Sequence, residues 1–191
     1  ESLGYGAFWI PEAIGRHPFA HAAWLLAKTE RLVVATGIAN IYARDPMTLK
    51  AIRKTLAELA PGRIVIGLGV SHSHLVQSVR GHEYSNKPVS TMRSYLEGME
   101  KALYMGAEPA EEAPVVLAAL RQNMLKLAAE KTQGAHPYFV TPEHTARLQT
   151  KGAAVGKPMT LGLRPQYLHV ADGGDAIATG RPSSPERLLK T

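Results

Sequence analysis

The chain has 191 residues, 45% hydrophobic and 20% charged, with 22 Lys+Arg against 16 Asp+Glu and a net charge of +6. It has no cysteine, which excludes disulfides and thiolate metal sites, and no apolar run approaches the ~20 residues of a membrane span. The basic residues are scattered without interleaved aromatics, so nucleic acid is not an expected partner; a small anionic ligand or a merely solvated basic surface fits.

The elements follow in chain order. Ala7-Phe8-Trp9-Ile10 reads as a short buried strand ending at Pro11-Glu12. Pro18 opens a helix to about Thr29, with Phe19, Ala22, Ala23 and Leu26 at helical spacing. Leu32 to Thr36 is a second strand. Asp45-Pro46 is a cap with a first-turn proline, and Leu49, Ile52, Leu56 and Leu59 mark the buried face of the helix that follows. Pro61-Gly62 stops it, and Ile64 to Gly69 is a third strand. A helix is expected from Pro88 to Met105, with Met92, Tyr95, Leu96, Met99 and Leu103 inward. Val115 to Ala119 is a fourth strand, followed by a helix from Asn123 to about Lys131. Ala135 to Val140 is a weaker fifth strand, interrupted by Pro137. Thr141-Pro142 starts a short helix, and Met159–Leu163 and Tyr167–Val170 are candidate short strands. Alternating strands and helices imply an α/β fold with a parallel sheet and right-handed crossovers. Residues 1–149 carry this pattern, whereas 150–191 are rich in Gly, Pro, Ser and Thr and read as an irregular tail. The chain opens Glu1-Ser2-Leu3-Gly4 with no basic leader segment, so a cytoplasmic location is expected.

Two strands pass from β-branched residues into small and polar ones at their carboxyl ends. One ends Thr36-Gly37-Ile38-Ala39-Asn40, the other Gly67-Leu68-Gly69-Val70-Ser71-His72. Parallel barrels place their chemistry at such ends. The glycines of Gly67-Leu68-Gly69 make a poor dinucleotide fingerprint, because His72 stands at the third position. Close packing explains them better. His72-Ser73-His74 has the spacing of a metal pair but lacks a third ligand, so no metal is expected.

These blocks, together with Leu3-Gly4-Tyr5-Gly6-Ala7-Phe8-Trp9-Ile10-Pro11-Glu12, Thr29 to Pro46, Gly81-His82 and Gly134-Ala135-His136-Pro137-Tyr138, resemble the luciferase-like monooxygenase family. The resemblance is to its deazaflavin (coenzyme F420) dependent oxidoreductase branch and covers about residues 1–149. It implies a TIM barrel, here incomplete: strands two to six are recognisable, while strand one and strands seven and eight are missing or replaced. A complete barrel typically needs roughly 250 residues.

The resemblance also implies the site. The cofactor would be F420, with FMN less favoured, and the reaction hydride transfer to or from a small organic substrate. Gly37 and Ile38 match a bulge that presses on the ring, often through a non-prolyl cis peptide, with Ala39 and Asn40 following. Asn40 could donate to the ring's pyrimidine edge. Gly69, Ser71 and His136 are further cofactor-binding positions. Glu12 and His72 are the catalytic candidates for proton transfer. Each has a plainer reading: a relief of crowding for Gly37, a helix-start carboxylate for Glu12, a polar loop residue for His72. Arg93 could meet an anionic cofactor tail or be a solvated helix charge. Arg121-Gln122 departs from the Gly-Pro usual in the family. An incomplete barrel exposes open sheet edges, which leaves a homodimer, a barrel-completing partner or an inactive fragment as alternatives.

Overall fold

The computed structural model describes residues 1–138, Val140 and the pair Thr160–Leu161. Among these, strands and helices alternate: β1 (Ala7–Ile10), α1 (Pro18–Lys28), β2 (Val33–Thr36), β3 (Ala39–Asn40), α2 (Pro46–Leu59), β4 (Ile64–Gly69), α3 (Pro88–Lys101), β5 (Val115–Ala118), α4 (Gln122–Lys131), β6 (Gly134–His136) and β7 (Thr160–Leu161). The sheet order is β1-β2-β4-β5-β6-β7, with β3 on β4, and every pairing is parallel. Among the described residues no pairing joins β7 to β1. This is the expected arc of a TIM barrel.

Local chemistry starts the helices. His17 Nδ1 accepts from Ala20 N at 3.3 Å ahead of Pro18, and Asp45 Oδ1 accepts from Thr48 N at 2.9 Å ahead of Pro46. At the end of α1, Arg63 donates to the Leu26 and Thr29 carbonyls, both at 3.0 Å. The guanidinium thereby satisfies carbonyls that the helix cannot, and ties α1 to the start of β4.

Strand periodicity separates two faces. Ile10, Val34, Ile64, Ile66, Leu68, Val115, Leu117 and Ala135 join Phe19, Leu26, Leu49, Leu56, Met92, Leu96 and Leu127 from the helices in one buried core. Burying each large aliphatic side chain contributes about 1.5–3 kcal/mol. The alternate residues Trp9, Gly67, Gly69, Val116, Ala118, Gly134 and His136 point into the barrel.

Three expectations need correction. The third helix stops at Lys101 instead of Met105, so Leu103 lies in the connection and is 77% exposed. Leu59 is half exposed, because it sits in the last turn of α2 while the sheet begins only at Ile64. The fifth expected strand is three residues long and ends at Pro137, which has no N–H for the ladder. Thr160–Leu161 falls within the expected Met159–Leu163 run. Tyr167–Val170 and the helix at Thr141-Pro142 lie outside the described residues.

Candidate active site at the barrel mouth

The bulge is visible as a change of register. Val34 and Ala35 pair with Ile64 and Val65, an offset of 30; Ala39 and Asn40 pair with Leu68 and Gly69, an offset of 29. One extra residue therefore sits between β2 and β3, as in a bulge that re-aims side chains near a site. The Gly37–Ile38 peptide within it is cis. Thr36 closes the gap with its side chain: Oγ1 accepts from Gly67 N at 2.9 Å and donates to Gly67 O at 2.8 Å.

The glycines of β4 are there for space. A Cβ on Gly67 would lie 1.9 Å from the Thr36 carbonyl oxygen. A Cβ on Gly69 would lie 2.6 Å from Ile38 Cδ1. The Ile38 side chain thus lies over both glycines. This agrees with close packing.

Glu12 follows β1 and is the hub of a buried polar network. Its Oε2 accepts from Asn40 N at 2.7 Å, and its Oε1 from Arg44 Nη2 at 2.5 Å. Its own N–H donates to the Ile38 carbonyl at 3.2 Å. The Glu12 and Arg44 side chains are 4% and 5% exposed. Arg44 also donates to Asn40 O at 3.0 Å and lies over the Phe19 ring at 4.9 Å. Tyr95 donates its hydroxyl to the Arg44 carbonyl at 3.0 Å, and burial raises its pKa, so it stays a phenol. Glu12 therefore straddles the bulge, bonded to residues 38 and 40, with Arg44 as its counter-charge.

Asn40 is fully buried and splits its amide. Oδ1 accepts from Tyr42 N at 3.0 Å, which fixes the orientation of the group. Nδ2 has no partner among the described residues. Trp9 Nε1 is likewise buried and unpartnered there. The Trp9 ring stacks on His136 with centroids 4.4 Å apart and 9° between planes. Because β1 and β6 are separated by β2, β4 and β5, this contact spans the barrel interior. Gly37 makes room for it: a Cβ there would lie 3.0 Å from Trp9 and 3.4 Å from His136 Nε2.

The connection from β4 to α3 forms the rim. Ser71 has φ 59°, and a π-helical turn runs from Leu75 to Val79 with Val76 buried. Arg80 leaves its end and reaches back across the mouth, donating to Ala13 O at 3.3 Å with Nη2 3.5 Å from Glu12 Oε1. Tyr84 closes the rim, donating to Ser71 O at 3.4 Å.

The structure thus gathers Glu12, Gly37, Ile38, Ala39, Asn40, Gly69 and His136 at one end of the sheet. Ser71 is half-buried at the rim, and His72 beside it is exposed. Arg93 lies on the outer layer, paired with Glu130 of α4 at 2.7 Å. Sequence reasoning missed Trp9, Thr36, Arg44 and Arg80. The parity of β1 could have found Trp9, since a strand with Ile10 in the core turns Trp9 to the barrel. Nothing local marks Arg80, whose partners lie 67 and 68 positions away (80 minus 13 and 12). Among the described residues, no helix is long and apolar enough to cross a membrane.

Comparison with known proteins agrees with this fold. The model of the luciferase-like monooxygenase family matches residues 1–157. A Mycobacterium tuberculosis protein named "putative coenzyme F420-dependent oxidoreductase" is 26% identical over 172 residues, covering 74% of this chain and 49% of that protein. The chain therefore spans about half the length of this curated relative. Among solved structures, the coenzyme F420 dependent tetrahydromethanopterin reductase of Methanopyrus kandleri superposes with a TM-score of 0.66 at 18% identity, over 84% of this chain and 57% of that one. A riboflavin lyase holding a modified FMN and riboflavin gives 0.70 at 11% identity, over 84% and 52%. At these identities the structural likeness is one of fold.

Proposed function

We propose that this chain, which belongs to the luciferase-like monooxygenase family, holds a deazaflavin at the carboxyl ends of its strands and serves hydride exchange with a small organic substrate such as an alcohol, aldehyde or enone. The observation that carries this reading is the one-residue register shift at Gly37–Ile38, directly beside the unpartnered Asn40 Nδ2. A ring edge rich in carbonyl oxygens would satisfy that donor, and Trp9 Nε1 offers a second. The residues present fit such a group. FMN shares the carbonyl-rich edge; the deazaflavin is favoured because the Mycobacterium tuberculosis and Methanopyrus kandleri proteins carry coenzyme F420 in their names.

A bound deazaflavin would supply two-electron hydride chemistry. The chain's own residues would do the rest. Ile38, seated on Gly67 and Gly69, would back the ring, and Asn40 would orient it. Trp9 and His136, stacked on each other beside Gly37, would close the barrel interior beneath the ring and exclude water. Glu12, with Asn40 N on one oxygen and Arg44 on the other, would hold the bulge, and its engagement makes it the less available of the two proton-carrier candidates. His72, exposed next to Ser71, is left as the imidazole able to exchange a proton with substrate at the rim.

Equilibrium titration with oxidised deazaflavin, reduced deazaflavin and FMN tests the proposal. Binding of a deazaflavin more tightly than FMN is expected, and failure to bind all three would overturn it. A second reading is a chain that needs a partner to complete its barrel. One observation favours it: among the described residues the outer edge of β1 is unpaired. A monomer with full cooperative unfolding and cofactor binding would remove that need.

A further inference from the structure

We propose that Arg80 is the counter-charge for an anionic oxygen group, a carboxylate or a phosphate, on the ligand that enters the barrel mouth. This rests on the reading that the mouth holds a ligand. It goes beyond that reading in naming a charge the ligand must carry and the residue that selects it.

The charge balance at the mouth is uneven. Glu12 is one carboxylate facing two guanidinium groups, and Arg44 takes the closer place at 2.5 Å against 3.5 Å for Arg80. The other Glu12 oxygen is engaged by Asn40 N. The nearby Asp45 is turned to its own helix, accepting from Thr48 N and Thr48 Oγ1. Arg80 is left with a long bond to the Ala13 carbonyl and a loose ion pair. Its Nε is buried with no partner among the described residues. A guanidinium offers five donors in a planar fork suited to carboxylate and phosphate, and here much of that capacity is unused.

The unpartnered groups agree in kind. Trp9 Nε1, Asn40 Nδ2 and Arg80 Nε are all donors. A site built to receive donors from a ligand would leave acceptors open instead. The backbone that carries the fork is also held in place. It belongs to the end of a π-helical turn, fixed by bonds from Arg80 N, Gly81 N and His82 N to Leu75, Gln77 and Val76 carbonyls. The main-chain part of the ordering cost is therefore met before a ligand arrives.

The test uses the whole chain as wild type, Arg80→Gln and Arg93→Gln. Arg93→Gln removes the same charge on the outer helix layer. Thermal melts are recorded by circular dichroism in phosphate and in malonate, against chloride of equal ionic strength. Both anions should raise the midpoint of wild type and Arg93→Gln more than that of Arg80→Gln, which keeps only the general salting-out effect. If Arg80→Gln does not fold in chloride, Arg80→Lys replaces it and should weaken phosphate binding about ten-fold, because the fork is lost while the charge stays. A second arm separates the sources of the anion. Loss of about ten- to a hundred-fold in affinity for a deazaflavin with its phosphodiester tail, but not for the tail-free ribityl deazaflavin, assigns the group to the cofactor. Unchanged binding of both, with loss of the malonate effect, assigns it to the substrate. The proposal is overturned if the anions stabilise Arg80→Gln as much as wild type, or stabilise neither. An Arg80-dependent anion effect without any deazaflavin binding would sink the cofactor reading and leave this one standing.

Discussion

At the carboxyl ends of the strands, Glu12 and Arg44 pair with side chains 4% and 5% exposed; at the amino ends, Lys54 meets Glu108 and Glu112, which are 65% and 46% exposed. Both clusters bridge separate elements, yet they do different work. The amino-end cluster pins the connection after α3 onto α2. Arg53 adds a bond to the Ala113 carbonyl at 2.7 Å, and Lys54 lies near the Tyr104 ring. The Lys54 side chain is 9% exposed, but it has two acids that keep their water, so the loss of one of them is cheap. The carboxyl-end pair has no water to fall back on, so removing one member strands the other. Stability and the geometry of the candidate site are therefore coupled at the mouth and separate at the base.

Substitutions can break or sharpen that contrast. The largest effect is expected from Gly67→Ala. Its Cβ would meet a backbone oxygen that cannot swing away, forcing β2 from β4 and costing about 3 kcal/mol or more in denaturant unfolding. Next, Glu12→Gln leaves Arg44 buried without its counter-charge and should cost about 3 kcal/mol. Pairing it with Arg44→Met should recover part of the loss, and a double-mutant cycle measures how much. Gly69→Ala should cost less, about 1–2 kcal/mol, since Ile38 is a side chain and can shift. Its effect should instead fall on cofactor affinity, measured by titration. Glu108→Ala at the base should change stability by less than about 1 kcal/mol and leave ligand binding untouched. If it matched Glu12→Gln, the contrast between the two ends would fail.

The smallest effect concerns pH. The Glu1 carboxylate accepts from the backbone N–H of Arg31, and also from Glu30 and Leu32, which lowers its pKa from 4.5 to about 2. A group with a depressed folded pKa stabilises above its unfolded value, and that contribution is lost as pH falls from 4.5 toward 2. Glu1→Gln should flatten the acid limb of the stability profile in that window. It should do nothing at neutral pH to the mouth.

The alternation of strands and helices was legible because it rests on local signals: Pro18, Asp45-Pro46, Pro61-Gly62 and the β-branched runs. The bulge was legible only through family likeness, since one extra residue leaves no mark in hydrophobic spacing. The polar network escaped notice for another reason. Glu12 reads as catalytic because an acid at a strand end is a good proton carrier, and nothing in its neighbours along the chain shows that Arg44 and the Asn40 backbone each bond one of its oxygens. Arg44 stood in plain view, one residue before a cap, but its partner is 32 positions away. Burial pairs residues by topology, and spacing reports only neighbours.

The stack of Trp9 on His136 gives the molecule an optical handle. The chain has two tryptophans, and the other, Trp24, is 58% exposed on α1. Replacing Trp24 with Phe leaves a single indole emitter inside the barrel, pressed against an imidazole. Its emission should be blue-shifted and weak, and it should respond to whatever chromophore comes to lie in the mouth. Occupancy could then be followed by energy transfer from one defined position.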